Sequence, residues 1–432
     1  MKNEIRDIFA STYMRLCKCL PMDKKKIVFK SFRGIECGDN PRAIFDALFA
    51  KRPDLHYVWV VANDAAAASL RNAGAEGKRS CGADKGSSTE NGDSDSLKNL
   101  TIVRHGSLAE IKELATAKIW VDNKRKGCWT SKRKGQFYLQ TWHGGIALKR
   151  IEKDAEDKLP AYYIKSAKKD SKMADAFVSG SAWQTKNYRK AFWYDGEMWE
   201  TGLPRNDIYF LERTENDSAS AAEISDAVHS EDVEMFPIGN AGRRVRAAFG
   251  LNETDHVIVY APTFREDYSM DAYNLDCERL LSACGRRFGG EWKLIMRLHP
   301  NVADREEYFH YNDRVLNGCR YPLMSELVAG SDILVTDYSS CMFDAAEGGK
   351  IVFIYASDVE DYLADRGFYF EFWKLPFAIA ETNEQLKKNI EAFSEKEYAV
   401  RTGAFLQKLE IFDNSNAAET VANRLLDILD KV

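Results

Sequence analysis

Two of the seven histidines lie where a parallel α/β sheet would position a catalytic group. His143 lies in QTWHGG and His299 in MRLHP, and each follows a segment that we predict to be a strand. Carboxyl ends of parallel strands line the ligand crevice of open α/β sheets, and an imidazole near its free pKa exchanges protons at neutral pH. The alternative for each is a hydrogen-bonded turn residue. Because other chemical motifs surround both, we predict a catalytic pair, one from each of two domains, facing a shared cleft.

The segment ILVTDYSSCMFDAAEGGK carries a second candidate site. A buried strand is predicted to end at Thr336, and the pair Ser339 and Ser340 then opens a helix. The exposed N–H groups and positive dipole of a helix start favour a phosphate, and the two hydroxyls would add hydrogen-bond donors. The alternative is an ordinary serine cap.

Carboxylates accompany this predicted helix start. Asp337 directly follows the strand, Asp344 lies one turn after Ser340, and Glu347 lies one turn further on the same face. One of these carboxylates could hold ribose hydroxyls. Acidic residues in the first turns of a helix are common without any ligand, because they interact favourably with the helix dipole.

Arginines at predicted strand ends add capacity to bind anions. Arg265 follows YAPTF, Arg297 precedes LHP, Arg205 lies in GLPRND and Arg33 lies in SFRG. Guanidinium groups bind phosphate oxygens through paired hydrogen bonds. A single surface arginine is usually only a solvated charge, but several at strand ends favour binding of phosphate groups.

Two amphipathic or basic segments suggest contact with a charged surface. Residues 121–172 hold 14 Lys and Arg against six Asp and Glu, which would attract an anionic lipid or a polyphosphate chain, or would simply form a solvated helix surface. The apolar residues of the first 20 positions recur at helical spacing among basic ones. They predict either an interfacial anchor or a helix packed on its own domain.

The strands and helices that must position these residues alternate along the chain. Strands are predicted in KIVFKSF, HYVWVVAN, TIVRH, KIWVDN and QFYLQTW, and again in HVIVYAPTF, WKLIMRLHP, DILVTDYSS and IVFIYAS. Asp39-Asn40-Pro41 is predicted to open a helix with Asp39 or Asn40 as its cap. The pattern indicates an α/β fold with two doubly wound, mainly parallel sheets.

The 432 residues exceed what one compact core usually holds, so we predict two domains. Residues 1–245 would form an N-terminal Rossmann-like domain with a polar loop at 74–97 and an acidic insertion at 212–236. Residues 246–432 would form a C-terminal Rossmann-like domain that ends in a helix.

Composition and missing motifs exclude several function classes. The net charge of −5 argues against a general nucleic-acid binder. The chain has no Walker A loop, no GxGxxG after a strand, no HExxH and no GxSxG. The single DxD, Asp93–Asp95, lies in the polar loop. We therefore predict a reaction without a bound metal.

These segments together resemble the CDP-glycerol glycerophosphotransferase family of teichoic acid synthesis. The resemblance spans roughly residues 26–372 and preserves the family's order of motifs. The matching pieces are KSFRGIECGDNPRAIFDAL, QTWHGGIALKRI, FVSGSAWQTKNYRKAF, TGLPRND, YAPTFRED, RLHP, ILVTDYSSCMFDAAEGGK and RGFYFEF. After WHG the family often has Thr-Pro-Leu-Lys-Lys, whereas this chain has Gly145-Ile146-Ala147-Leu148-Lys149. This departure and the acidic insertion bear on the acceptor more than on the reaction.

The resemblance implies a GT-B fold and a peripheral enzyme on the cytoplasmic face of the bacterial membrane. His143 would deprotonate an acceptor hydroxyl, and His299 would stabilise or protonate the diphosphate, while CMP leaves. The donor would be CDP-glycerol or CDP-ribitol, the acceptor a lipid-linked polyol phosphate, and no cofactor would be needed. Donor phosphates would be bound by Arg265, Arg297, Thr336, Ser339 and Ser340, the nucleotide by Asp337, Asp344 or Glu347, and the acceptor or another anion by Arg33, Asn40, Lys149 and Arg205.

Two alternatives stay open at this point. The first is a GT-B glycosyltransferase that uses a nucleotide sugar, in which carbon rather than phosphorus would be attacked. The second is a non-catalytic protein that binds a polyanion or a membrane, for which removal of the His143 imidazole would leave function intact.

Overall fold

The chain divides into two compact α/β units, each built on one parallel sheet. The first unit comprises Met1–His143, Glu152–Arg205 and Asn416–Val432, and the second Gly144–Ile151 and Asn206–Ser415. The computed structural model describes residues 2–76, 98–214, 240–265, 270, 272–299, 302, 305 and 308–431. Most of the predicted polar loop 74–97 and acidic insertion 212–236 therefore lies outside the described residues.

Within the described residues, the sheet of the first unit has seven strands in the order β3-β2-β1-β4-β5-β6-β7, and all neighbours pair in parallel. The strands are β1 (Asp23–Lys30), β2 (His56–Val61), β3 (Leu100–Arg104), β4 (Ala117–Asp122), β5 (Phe137–Gln140), β6 (Ala176–Ser179) and β7 (Glu197–Glu200). The helices before residue 200 are α1 (Lys2–Cys17), α2 (Asp39–Lys51), α3 (Asp64–Glu76), α4 (Leu108–Thr116), α5 (Ala161–Met173) and α6 (Ala182–Ala191).

Apolar runs explain why the central strands of this sheet are buried on both faces. In β1, Ile27 and Phe29 belong to the hydrophobic cluster on one face of the sheet. Val28, which lies between them, belongs to the cluster on the other face. A continuous apolar run, rather than an alternating one, is typical of a parallel sheet covered by helices on both sides. Stacking of Phe29 on Trp59, with ring centroids 5.4 Å apart, adds aromatic contact to the first cluster.

The turn after β1 is tight and depends on one glycine. Gly34 has a φ of +85°, and a Cβ at this position would lie 2.8 Å from the backbone nitrogen of Ala62. Only glycine fits such a close approach. The glycine of SFRG therefore fixes the path of the loop that leads into α2.

In the part of the second unit that the structure describes, the sheet has six parallel strands in the order β10-β9-β8-β11-β12-β13. They are β8 (His256–Ala261), β9 (Trp292–Met296), β10 (Val315–Asn317), β11 (Ile333–Thr336), β12 (Ile351–Tyr355) and β13 (Ala378–Ala380). Its helices are α7 (Asp207–Thr214), α8 (Asn240–Phe249), α9 (Cys277–Phe288), α10 (Met324–Ala329), α11 (Cys341–Glu347), α12 (Val359–Arg366), α13 (Asn383–Glu391) and α14 (Glu395–Leu409).

The observed units differ from the predicted boundary between residues 245 and 246. The last helix, α15 (Ala417–Asp430), belongs to the first unit, because Val421 and Leu425 join the same core cluster as Phe45 of α2. Residues 206–245 belong to the second unit instead, where the ring of Tyr209 lies close to Gly348. Chain order alone does not reveal such exchanges.

The helix predicted at Asp39-Asn40-Pro41 forms, but its cap differs from the expected one. Gly38 is the N-cap and has no side chain that could cap the helix, and Asp39 is already the first helical residue, with a φ of +60°. A positive φ is rare outside glycine and stores strain. The Asp39 carboxylate is held by other partners, described below.

Candidate functional site

His143 lies just beyond the carboxyl end of β5, as the sequence predicts. Its Nδ1 is 3.0 Å from the backbone oxygen of Asn123, and because a carbonyl only accepts hydrogen bonds, Nδ1 carries the proton. The other ring nitrogen, Nε2, is 2.9 Å from Nζ of Lys124, so the ammonium donates to it. The ring is also packed against Trp142, with centroids 4.4 Å apart. Orientation and tautomer are thus both fixed.

The loop after β1 is built around Asn123 and contributes to the same place. The Asn123 side chain accepts a hydrogen bond from the Phe32 nitrogen at 2.8 Å and donates to the Asp39 carboxylate at 3.1 Å. Phe32 and Arg33 have φ values of +46° and +58°, which are strained for such residues. The Phe32 ring meets the His143 ring edge-on at 5.8 Å.

Electrostatics keep the His143 imidazole neutral. Burial and the neighbouring Lys124 ammonium hold the pKa of His143 well below its ordinary value. Burial and the nearby Arg33 also lower the pKa of Lys124 to about 8, opposed by Asp39. A neutral imidazole with a fixed Nδ1 proton offers Nε2 as a proton acceptor, and the adjacent ammonium can bind an anion.

Replacing Lys124 with Met is expected to change the pH dependence of activity at both ends. The ammonium opposes protonation of the imidazole, so its removal raises the pKa of His143. Because an imidazole can accept a proton only when it is neutral, we expect the acid limb of kcat/KM to move to higher pH. An alkaline limb near pH 8, where Lys124 itself loses its charge, is expected to disappear. The pH–rate profile measures both, with the exposed Lys134→Met as control. An unchanged acid limb would contradict the coupling.

Asn40 and Arg205, two predicted anion ligands, instead connect loops of the first unit. The Asn40 amide donates to the Trp142 oxygen at 3.3 Å and accepts from the Arg205 nitrogen at 3.1 Å. Arg205 is buried, and its Nη1 is 3.1 Å from an oxygen of Asp39. Both residues therefore hold the loop that carries His143. Arg33, the third of this group in the first unit, is exposed.

In the second unit, Arg265 lies within a cluster of carboxylates. Its Nη2 is 2.9 Å from Asp337, and its Nε is 2.6 Å from Asp358. The other oxygen of Asp337 accepts from the backbone nitrogens of Thr263 at 2.8 Å and Tyr338 at 2.6 Å. The cluster joins the ends of β8 and β11. Arg265 and Asp337, predicted to bind phosphate and nucleotide, therefore have structural partners already.

The junction of β11 and α11 has the predicted order of elements. Thr336 is fully buried, and its hydroxyl donates to the Ala261 oxygen at 2.6 Å. This bond occupies the hydroxyl proton that the sequence predicts for a phosphate. Ser339 and Ser340 are half-buried, and Ser340 is the N-cap of α11 without a side-chain cap bond. Both serine hydroxyls thus lie at the accessible start of the helix.

The two predicted ribose carboxylates lie together on α11. Asn206 Nδ2 is 3.5 Å from Asp344 and 3.2 Å from Glu347, and the same amide donates to Asp413 at 2.6 Å. Asp344 and Glu347 are largely buried. The amide of Asn206 therefore joins three carboxylates within the second unit, a role that the sequence did not indicate.

The remaining predicted residues of the second unit have different environments. Arg297 is buried, and its Nη1 donates to the Cys319 oxygen. His299 follows β9 and is exposed, with its ring 5.7 Å from that of Phe264. Lys149 places its ammonium 4.3 Å from the ring centre of Tyr362. Convergence of His143 with His299 stays a prediction.

Two residues of the His143 site were missed from the sequence. From the sequence alone, Lys124 is only part of the basic stretch 121–172, and Asn123 has no predicted role. Their position in the sequence indicates the site, because both directly follow β4, the strand beside β5 in the sheet. Their importance depends on strand order, which places the β4 loop beside His143 and which motifs alone do not give.

The described residues show neither a cluster of metal ligands nor a membrane-spanning helix. Within these ranges, no three His, Cys, Asp or Glu side chains cluster as metal ligands would. No helix of the described part combines the length and apolar character needed to cross a bilayer.

Comparison with known proteins identifies related sequences over nearly the whole chain. The family model "CDP-Glycerol:Poly(glycerophosphate) glycerophosphotransferase" matches residues 12–235 and 235–427. The teichoic acid poly(glycerol phosphate) polymerase of Bacillus subtilis strain 168 is 27% identical over 98% of this chain and 51% of its own length. The chain thus spans about half the length of that relative. The polymerase of Bacillus spizizenii is 27% identical over 96% of this chain and 95% of its own length.

A further relative and a solved structure are also similar to this chain over nearly its whole length. The teichoic acid glycerol-phosphate transferase of Staphylococcus aureus strain NCTC 8325 is 27% identical over 98% of this chain and 99% of its own length. The structure of the wall teichoic acid polymerase TagF superposes with a TM-score of 0.74 at 23% identity and covers 100% of this chain and 97% of that one. This likeness confirms the predicted GT-B fold, with two Rossmann-like units.

Proposed function

Because the chain belongs to the CDP-glycerol:poly(glycerophosphate) glycerophosphotransferase family, we propose that it transfers a polyol phosphate from a CDP-polyol to a hydroxyl of a teichoic-acid-type acceptor. Glycerol phosphate is the first choice, since several relatives carry glycerol phosphate in their names. Ribitol phosphate is the second, since others carry ribitol phosphate. CMP is the leaving group, and the CDP-polyol is a substrate rather than a cofactor.

One observation carries this proposal: the neutral His143 imidazole, with its Nδ1 proton held by the Asn123 carbonyl and Nε2 facing Lys124. When the Lys124 ammonium turns from Nε2 to a substrate phosphate, Nε2 is free to take the proton of the acceptor hydroxyl as the hydroxyl oxygen attacks the distal phosphorus of the donor. The new oxygen–phosphorus bond forms, the bond to the bridging oxygen breaks, and CMP departs. The Lys124 ammonium neutralises phosphate charge beside the base. Positioning and charge neutralisation supply most of the catalysis in such transfers.

The donor is assigned to the second unit. The hydroxyls of Ser339 and Ser340, at the accessible start of α11, bind its phosphate oxygens, and exposed His299 stabilises or protonates the diphosphate. Arg265 and Asp337 act indirectly, because they join the ends of β8 and β11 and so fix the loop before these serines. Asp344 and Glu347 remain the candidates for ribose contacts.

A panel of nucleotide donors tests the reaction class. Purified protein is incubated with an acceptor and with CDP-glycerol, CDP-ribitol, UDP-sugars or GDP-sugars, and released nucleotide is quantified. We expect CMP from at least one CDP-polyol and no turnover of the sugars. Turnover of a nucleotide sugar with release of a nucleoside diphosphate would instead establish the glycosyltransferase alternative.

The first unit also carries a surface suited to a membrane. On α1, Ile5, Ile8, Phe9 and Leu16 are each more than 60% exposed. Next to α1, α5 presents a groove of about 540 Å³ lined by Lys165, Lys168, Lys169 and Lys172, among others, and Tyr162 of α5 donates to Asp7 of α1 at 2.6 Å. Apolar side chains beside lysines favour binding to an anionic lipid surface. We assign this face to peripheral contact with the cytoplasmic face of the bacterial membrane, where a lipid-linked acceptor would be presented.

Replacing Ile8 with Asp is expected to lower the fraction of protein that sediments with anionic vesicles by about tenfold, because one apolar side chain that would enter the lipid surface is lost. Vesicle sedimentation at two salt concentrations measures it, and the wild-type binding should weaken as salt rises. Val400→Asp, which changes a similarly exposed residue of α14, is the matched control. Equal sedimentation of Ile8→Asp and wild type would contradict the proposed face.

A further inference from the structure

A separate cavity of about 380 Å³ lies in the first unit, among the end of β1, α4, α5 and the loop after β4. Its size falls in the range of roughly 300–1,000 Å³ that is usual for ligand sites. Its walls include Arg6, Arg33, Leu114, Trp129 and Thr130. None of the catalytic steps described above uses this cavity.

Several cations line the cavity, and most are already neutralised. Lys30 is 2.6 Å from Glu110, and Lys126 is 2.8 Å from Asp122. Arg6 and Arg33 differ, because within the described part of the chain no carboxylate pairs with either. Both are exposed at the cavity. The cavity therefore offers two available guanidinium groups, which match the geometry of phosphate oxygens.

A buried hydroxyl points to the same kind of ligand. Thr130 is only 1% exposed, and among the described residues its Oγ1 has no hydrogen-bond partner. Buried polar atoms are almost always satisfied, since leaving one unpaired costs free energy. A ligand oxygen in the cavity would complete the bonding of this hydroxyl. The walls also include Leu114 and Trp129, which suit carbon atoms next to a polar group.

The cavity adjoins the catalytic base through the strained loop after β1. Arg33 follows Phe32, whose ring meets the His143 ring at 5.8 Å, and the Lys124 ammonium lies 5.6 Å from the centre of the Phe32 ring. The left-handed backbone of Phe32 and Arg33 is held by the side chain of Asn123. Strain maintained beside a functional group is typical of a site that positions a ligand.

We propose that this cavity is an acceptor subsite, in which Arg33, Arg6 and the Thr130 hydroxyl bind a phosphate of the acceptor while its terminal hydroxyl meets His143. The inference rests on the proposed function, which supplies the acceptor. The phosphate has two possible sources: a phosphodiester of the growing polyol phosphate chain, or the diphosphate that joins a lipid to its headgroup. Both share the oxyanion chemistry that these side chains recognise.

Thr130→Val and Arg33→Gln test the subsite, because the first removes one hydroxyl at nearly constant volume and the second removes one charge. We expect the KM for the acceptor to rise about fivefold and about twentyfold respectively, with kcat and the KM for the CDP-polyol changed less than about twofold. Arg104→Gln removes an exposed cation of the same unit outside the cavity. It should change neither kcat nor the KM for either substrate. Thermal melting verifies folding, and Arg33→Lys is a milder second variant.

Calorimetry with two soluble probes separates the sources of phosphate. The probes are a short oligo(glycerol phosphate) without lipid and decyl diphosphate. Weaker binding of the first probe to both variants assigns the cavity to the polyol phosphate chain, and weaker binding of the second assigns it to the lipid diphosphate. Equal binding of both probes to wild type and variants would overturn the subsite. The protein could bind a probe through Thr130 and Arg33 and yet release no CMP from any CDP-polyol. That result would support the subsite and reject the proposed reaction.

Discussion

Replacing His143 with Ala is expected to lower turnover at least about 100-fold, the usual loss when a general base is removed. The KM for the CDP-polyol should stay within about twofold, because the donor is assigned to the other unit. Steady-state CMP release measures both quantities. The imidazole is neutral, its orientation is fixed by Asn123, and its Nε2 is the nitrogen that can accept a proton.

The exposed His310→Ala is the matched control, and we expect it to retain full activity. A His143→Ala protein that folds normally and keeps more than a tenth of wild-type turnover would remove His143 from catalysis. In that case a non-catalytic role of the chain, or a different base, would have to be considered.

Replacing Arg265 with Met is expected to lower the free energy of unfolding by about 3–5 kcal/mol, because two carboxylates then lose their countercharge inside the protein. The Asp337 side chain is 2% exposed and that of Arg265 is 9% exposed, so water cannot replace the lost partner. Asp337 also accepts from two backbone nitrogens, which keeps its charge in place. Chemical denaturation measures the loss.

Arg286→Met provides the contrast, since Arg286 forms an exposed ion pair with Glu391, and such pairs contribute about 0–1 kcal/mol. The double variant Arg265→Met with Asp337→Asn should lose less stability than the sum of the two single changes, because they share one interaction. Normal stability of Arg265→Met together with a selective loss of CDP-polyol affinity would restore the phosphate-binding role that the sequence predicts for Arg265.

The strands and the positions of the candidate residues at strand ends could be predicted from sequence. Runs such as YVWVV and ILVT are buried on both faces, so their apolar character alone identifies them as parallel strands. Most predicted strands end earlier than the motifs suggested, for example β5 at Gln140 and β9 at Met296. His143 and His299 therefore lie in loops that follow the strands, where side chains reach ligands more readily.

Pairing between distant charged residues could not be predicted in this way. Arg265, Asp337 and Asp358 are separated by up to 93 positions, and only the order of β8, β11 and β12 in the sheet brings them together. The same holds for Asp39 and Arg205, 166 positions apart. A guanidinium beside a predicted strand end can bind a ligand or a carboxylate of the protein itself, and composition near it does not distinguish the two.

The central claim, attack of an acceptor hydroxyl on phosphorus, is tested most directly by following the reaction with ³¹P NMR. Wild-type protein, CDP-glycerol and an oligo(glycerol phosphate) acceptor are expected to convert the two diphosphate signals into equal amounts of CMP and a new phosphodiester. In the His143→Ala variant, the signals of CMP and of the new phosphodiester should both appear more slowly, and to the same extent. Consumption of the donor with release of free glycerol phosphate but no new phosphodiester, or no consumption at all with any CDP-polyol, would contradict the transfer.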